Sequence, residues 1–229
     1  MKEAVRLAEL HLKEVQVASE LETSATTTRA ARHILEIPEI VKDVTIVDLA
    51  AGACPLTADL LDRGANAYAV DHLYGEQGKL AAAAARSLEL VIQNARRVQP
   101  EYATRMYELT EAAILDFWKS FNTHPDRYKE GWLTQLPFED NISDMTLSLN
   151  GISELWGDQE VMQRALDEAL RITKPGGKIT IAPFLTAKGI TVPMHRTLFK
   201  SLLLSHIGRV TIIRNIPGYN DSRLEIIKS

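Results

Sequence analysis

Residues 44–71 read V-T-I-V-D-L-A-A-G-A-C-P-L-T-A-D-L-L-D-R-G-A-N-A-Y-A-V-D. The β-branched run Val44–Val47 suits a strand buried on both faces of a parallel sheet. Asp48 ends it, and the small residues Ala50, Ala51, Gly52 and Ala53 follow. Pro55 is expected as the first residue of a helix, where a fixed φ fits and the missing N–H costs nothing. That helix should run to Arg63 and stop at Gly64, since glycine takes the left-handed cap conformation freely. A second strand, Ala67–Val70, closes on an acid, Asp71.

Strand, small-residue turn, helix, strand and acid together form a unit suited to an adenosine-containing ligand. The turn admits the ligand to the backbone, the helix start offers free N–H groups, and the terminal acid accepts from ribose hydroxyls. The alternative is a βαβ unit that binds nothing.

Working outward, 229 residues with 45% hydrophobic content supply one substantial core. A net charge of −4 gives no basic footprint, so no nucleic-acid partner is expected. The single cysteine, Cys54, rules out an intrachain disulfide and fits a cytoplasmic location. Met1–Leu10 lacks the apolar core of a signal peptide, and no stretch is long and apolar enough to span a membrane. No His and carboxylate pair stands at ligand spacing in a plausible pocket, so no metal site is expected.

Upstream, Lys2–Leu21 has the three-and-four spacing of an amphipathic helix, and Ser24–Thr28 can cap a second helix, Arg29–Ile37. Residues 1–42 are therefore expected as a helical cap, with the α/β domain over 43–229. Downstream of Asp71 lie Gly75–Val98, with its five-alanine run, and Glu101–Phe121, both helical patterns. About 60 residues separate Asp71 from Gly131 where a crossover needs a third to a half of that, so 75–126 is read as an inserted helical hairpin. The stripe Tyr102, Met106, Leu109, Ala113, Phe117, Phe121 serves as core, as a substrate wall or as a homodimer interface.

A further stretch begins at Gly131: G-W-L-T-Q-L-P-F-E-D-N-I-S-D, then the strand Met145–Leu149. Helix Gln159–Ile172, capped by Asp158, ends at Lys174–Gly177, and the strand Lys178–Phe184 follows. A helix around Met194–His206 precedes the strand Arg209–Asn215, the turn I-P-G-Y-N-D and the strand Arg223–Lys228. A tight turn between two short strands demands an antiparallel pair.

As a set, these residues resemble the class I S-adenosylmethionine-dependent methyltransferases. Asp48 and Gly52 match the family's D-x-G-x-G-x-G turn, with Ala50 and Cys54 in place of the outer glycines. Leu136, Pro137, Phe138, Asp140, Asn141 and Asp144 match its L-P-F-x-D-N-S-F-D segment, with Trp132 where the family carries an adenine-binding acid. The resemblance implies an α/β fold: a seven-stranded Rossmann-like sheet, mostly parallel with an antiparallel last strand, helices on both faces. It implies S-adenosylmethionine as cofactor, held by Asp48, Ala50, Gly52, Cys54, Asp71, His72, Trp132, Leu133, Ser148 and Asn150. Trp132 would stack on the adenine, and Ser148 and Asn150 would look into the pocket near the methyl group. Arg29 or Arg32 either pairs with the methionine carboxylate or is a solvated helix residue. Of the two replaced glycines, Cys54 is the larger departure; negative φ is expected there, with its side chain beneath the cofactor.

The function so implied is methyl transfer to an O, N or C nucleophile on a small molecule, with a non-catalytic binding or partner subunit as the alternative. A dehydrogenase would need a third turn glycine, which Pro55 and Thr57 do not supply. An exocyclic-amine nucleic-acid methyltransferase would need Asn/Asp-Pro-Pro-aromatic where L-N-G-I stands. Methyl transfer requires positioning more than acid–base chemistry. Candidates for a base are His72, His195, Tyr74 and Glu154.

Overall fold

The computed structural model describes residues 28–98, 103–155, 158–183, 208–214 and 222–229. Its seven strands are β1 (Thr45–Leu49), β2 (Asn66–Asp71), β3 (Tyr128–Glu130), β4 (Ser143–Leu149), β5 (Thr173–Ala182), β6 (Arg209–Arg214) and β7 (Ser222–Ile227). They form one sheet in the order β3-β2-β1-β4-β5-β7-β6. Neighbours among β1–β5 pair in parallel, and β7 runs antiparallel to both β5 and β6. This is the mixed sheet with one reversed strand that the sequence implies. The strand order reverses between β1 and β4, and in open α/β sheets the crevice at such a reversal is where ligands bind.

Alternation along β1 sends Val47 and Leu49 to one face and Ile46 and Asp48 to the other. On the first face, helix α6 (Gln159–Ile172) lays Val161, Met162, Ala165, Leu166, Ala169 and Ile172 over Val47, Leu49, Ile179, Ile181, Leu224 and Ile226. On the second, α1 (Thr28–Leu35) and α2 (Leu56–Asp62) cover Ile46, Ala67, Met145, Leu147 and Ala182. Beside them, α3 (Gln77–Val98) and α4 (Ala103–Thr123) close over Ala69 through Leu80, Ala84, Phe117 and Phe121. A four-residue helix, α5 (Gly151–Glu154), follows β4 directly.

Two local expectations are corrected. Pro55 caps α2 instead of opening it, with φ −79° and ψ 7°. Lys174–Gly177 does not separate helix from strand, because β5 starts at Thr173 and the four residues bulge out of it. The β4 register jumps from Ser143↔Thr173 to Met145↔Lys178. The C-terminal strand holds the bulge: Gly176 N donates to Lys228 O (2.8 Å) and Lys228 N to Gly177 O (3.1 Å). The Lys228 ammonium also donates to Leu170 O and Thr173 O at the end of α6, the helix pole that favours a cation.

The α4 stripe divides along its length. Ala113, Phe117 and Phe121 are buried, while Met106 and Leu109 are 38% and 42% exposed. The second half packs into the core beside the sheet, while residues 104–109 in the first half are exposed. Tyr102 and the Met194–His206 helix lie outside the described residues, as does the cap upstream of Thr28.

Candidate functional site

The turn after β1 is fastened to the end of β2. Ala51 N donates to Val70 O (3.1 Å), and Gly52 N donates to the Asp71 carboxylate (Oδ2, 3.0 Å). The second Asp71 oxygen accepts from Leu73 N at 2.9 Å. Tyr74 Oη donates to Gly52 O at 2.9 Å, and Cys54 N to Ala51 O at 3.1 Å. The phenol ring of Tyr74 is wedged among Phe117, Phe121 and Tyr128. Sequence reasoning gave Tyr74 as a candidate base. Its hydroxyl is instead committed to the turn, and burial pushes its pKa well above the usual value.

The strained position in the turn is Ala50, not Cys54. Ala50 has φ 51° and Gly52 φ 52°, whereas Cys54 is absent from the left-handed region. Holding alanine there costs about 1 kcal/mol, which glycine would not incur. Gly151, at the start of α5, sets the fit on the other side: a Cβ on it would stand 2.5 Å from Ala50 Cβ. Nothing in the chain read alone singled out Gly151, because its partner lies a hundred residues away. Cys54 is 7% exposed, and its thiol is pushed up to about 12, first by burial and then by the Asp48 charge. The bond from Leu56 N at the helix start lowers it, but by less than burial and Asp48 raise it.

Two carboxylates are buried here. Asp48 is 2% exposed and is pushed up to about 7, mainly by desolvation and then by Asp71. Asp71, 8% exposed, is also raised by desolvation, against which the His72 side chain and the Leu73 and Gly52 N–H groups work. Directly beyond Asp71, His72 Nδ1 stands 3.4 Å from Asp71 Oδ1. The His72 ring stacks on Trp132 with centroids 5.1 Å apart and planes at 25°.

The remaining expected residues divide. Asn150 lies on the β4 lip of the crevice in left-handed conformation, φ 67°, with its N–H on Ala182 O at 2.7 Å. Ser148 does not open into a pocket: it is buried, and its hydroxyl accepts from Ile152 N at 2.9 Å. Leu133 is core, packed with Leu136 and the α6 residues. Arg32 pairs with Asp59 of α2 (3.5 Å). Glu154 ends α5, but its side chain, like that of Arg29, lies outside the described residues, as does the whole of His195.

Arg171 was not singled out in the sequence, yet it secures the loop that carries Trp132. Its guanidinium donates to Leu136 O, Phe138 O and the Asp140 carboxylate, and it pairs with Glu168, which accepts from Leu136 N. Among the described residues, no three His, Cys, Asp or Glu side chains are grouped to hold a metal, and no helix is long and apolar enough to cross a membrane.

A buried carboxylate at the end of β2, a turn of small residues with two positive φ values and an aromatic pair beyond the acid together fit an adenosine-bearing ligand. Residues 95–181 match a family described as a methyltransferase domain. A demethylmenaquinone methyltransferase of Corynebacterium glutamicum (strain R) is 26% identical over 165 residues, 72% of this chain and 51% of that protein. One of Corynebacterium efficiens gives the same figures. The chain thus spans about half the length of the curated relatives it matches. A TehB-like SAM-dependent methyltransferase structure from Corynebacterium glutamicum shares the fold with TM-score 0.52 and 14% identity, over 89% of this chain and 88% of that one. A Pyrococcus horikoshii OT3 protein does so with TM-score 0.51 and 14% identity, over 88% and 91%.

Proposed function

We propose that this chain, whose residues 95–181 match a methyltransferase-domain family, is a class I S-adenosylmethionine-dependent methyltransferase that methylates a small-molecule nucleophile. One observation carries this reading: the buried Asp71 carboxylate, fixed by Gly52 N and Leu73 N at the mouth of the switch-point crevice. Each carboxylate oxygen has a lone pair beyond the one those amides use. Asp71 therefore accepts from both ribose hydroxyls without giving up the turn. Ala50–Gly52 offers the methionine portion a backbone with little side-chain bulk, and Asn150 stands on the opposite lip of the crevice. When bound, the cofactor supplies a methyl group on a sulfonium centre that departs as a neutral thioether.

This chain's contribution to such a transfer is orientation and exclusion of water, the terms that dominate an in-line displacement. The curated relatives are named for demethylmenaquinone, which makes it the first acceptor to assay. The exposed first half of α4 is a candidate wall of the acceptor pocket or a contact between two copies; light scattering on a variant lacking that half separates the two.

Calorimetric titration with S-adenosylhomocysteine tests the reading. Wild type should bind, and Asp71→Ala should weaken binding by about 2 kcal/mol, or about 30-fold, the scale of lost charged hydrogen bonds. Absence of binding by wild type refutes it. A second reading, binding without catalysis, is favoured by the strained Ala50 and by Trp132; it predicts tight binding with no turnover of any acceptor.

A further inference from the structure

Large apolar side chains open to solvent are concentrated on one helix. Among the described residues these are Met106, Tyr107, Leu109 and Leu115, all on α4, and Ile40 in the loop before β1. Single exposed apolar residues need no explanation, but four within ten positions of one helix make a patch.

Packing fixes which side of α4 faces out. Ala103, Thr110, Ala113, Phe117, Ser120 and Phe121 are buried. Arg105, Leu109, Ala112 and Asp116 are exposed, and their spacing of four, three and four residues sets them in one stripe. The stripe is apolar in the middle and carries opposite charges at its two ends. Among the described residues neither Arg105 nor Asp116 has an ion partner.

An antiparallel copy of the same helix complements this stripe. With a two-fold axis between Thr110 and Glu111, Arg105 stands opposite the partner's Asp116 and Leu109 opposite the partner's Ala112. Symmetry makes each contact twice. Sliding one turn in one direction sets Arg105 against the partner's Lys119 and Glu108 against the partner's Asp116, like charges both. Sliding the other way sets Arg105 against the partner's Ala112, and both charges lose their partners. One register alone satisfies the sequence of the stripe. Residues 105–116 cover about 17 Å of a helix about 10 Å across. That is well under the ~800 Å² per partner of a standard interface, so the pair is weak and reversible.

We propose that α4 pairs with α4 of a second copy of this chain in that antiparallel register, forming a concentration-dependent homodimer. This assigns the exposed stripe of α4 to contact between copies, and it does not rest on the cofactor reading.

Sedimentation velocity of the full chain from about 1 µM to about 500 µM, a range that brackets a weak dimer, tests it. The wild-type mass should rise with concentration from that of one chain toward that of two. Arg105→Asp and Asp116→Arg should each weaken association by about 10-fold or more, since each sets like charges together at both ends. An equimolar mixture of the two variants should return to within about 3-fold of wild type, because a stripe with two acids then meets a stripe with two arginines. Neither a misfolded variant nor a contact elsewhere on the surface would give that restoration. A wild type that keeps the mass of one chain over the whole range overturns the proposal. So does a dimer that neither variant weakens, or one that the mixture fails to restore.

Discussion

Gly151→Ala probes the contact on which the strained turn depends. The added Cβ would stand 2.5 Å from Ala50 Cβ, 2.9 Å from Ser148 Oγ and 3.1 Å from Leu49 O. Overpacking of this kind costs about 1–3 kcal/mol. The Ser148 hydroxyl is the softest of the three neighbours, but moving it gives up the Ile152 N–H it accepts from. Ala50 already holds φ 51°. Replacing it by glycine removes both the left-handed strain, about 1 kcal/mol, and the methyl group that Gly151→Ala would strike. The greater freedom of glycine in the unfolded chain offsets about 0.5–1 kcal/mol of that relief. Ala50→Gly alone should therefore change stability little, and Gly151→Ala alone should destabilise by about 2 kcal/mol. The double variant should be about 1 kcal/mol or more stabler than the two effects summed, since contacting sites couple on that scale. Urea unfolding of the four proteins at one pH measures this. Additivity within about 0.5 kcal/mol would refute the reasoning, because it would mean that Ala50 and Gly151 do not share the space assigned to them.

Asp48 gives a pH test. Its carboxyl is near 3.8 when unfolded and about 7 when folded, so the folded state binds the extra proton between those values. Stability is therefore greatest, for this group, below about 4 and is lost as pH rises through 7, by at most about 4 kcal/mol. Asp48→Asn should flatten the stability profile between pH 5 and 8; an unchanged slope would locate the dependence elsewhere. Tyr74→Phe should cost about 1–2 kcal/mol by stranding the buried Gly52 carbonyl, and should weaken S-adenosylhomocysteine binding through the turn. Equal affinity for both proteins would show that the strut does not set the turn. Cys54 should resist alkylation equally with and without S-adenosylhomocysteine, since it is buried and its thiol is held near 12. Fast labelling of the folded protein would contradict its placement.

The sequence by itself determined what short-range signals govern. The β-branched run, the acid after Ala67–Val70, the glycine stop at Gly64, where φ is 82°, and the Asp158 cap that accepts from Glu160 N and Val161 N each depend on a few neighbouring residues. The seven-stranded sheet itself was implied by the family resemblance that these residues carry as a set. Tertiary structure alone decided which turn residue carries the strain, because the φ of Ala50 is imposed by Val70, Asp71 and Gly151, none of them local to it. The same holds for Ser148, whose hydroxyl was taken up by a helix start, and for Tyr74, whose ring needed Phe117 and Tyr128 around it. His72 and Trp132 are 60 positions apart in the chain. Only parallel pairing of β2 with β3, which sets Asp71 against Glu130, carries the two rings into contact beyond the strand ends.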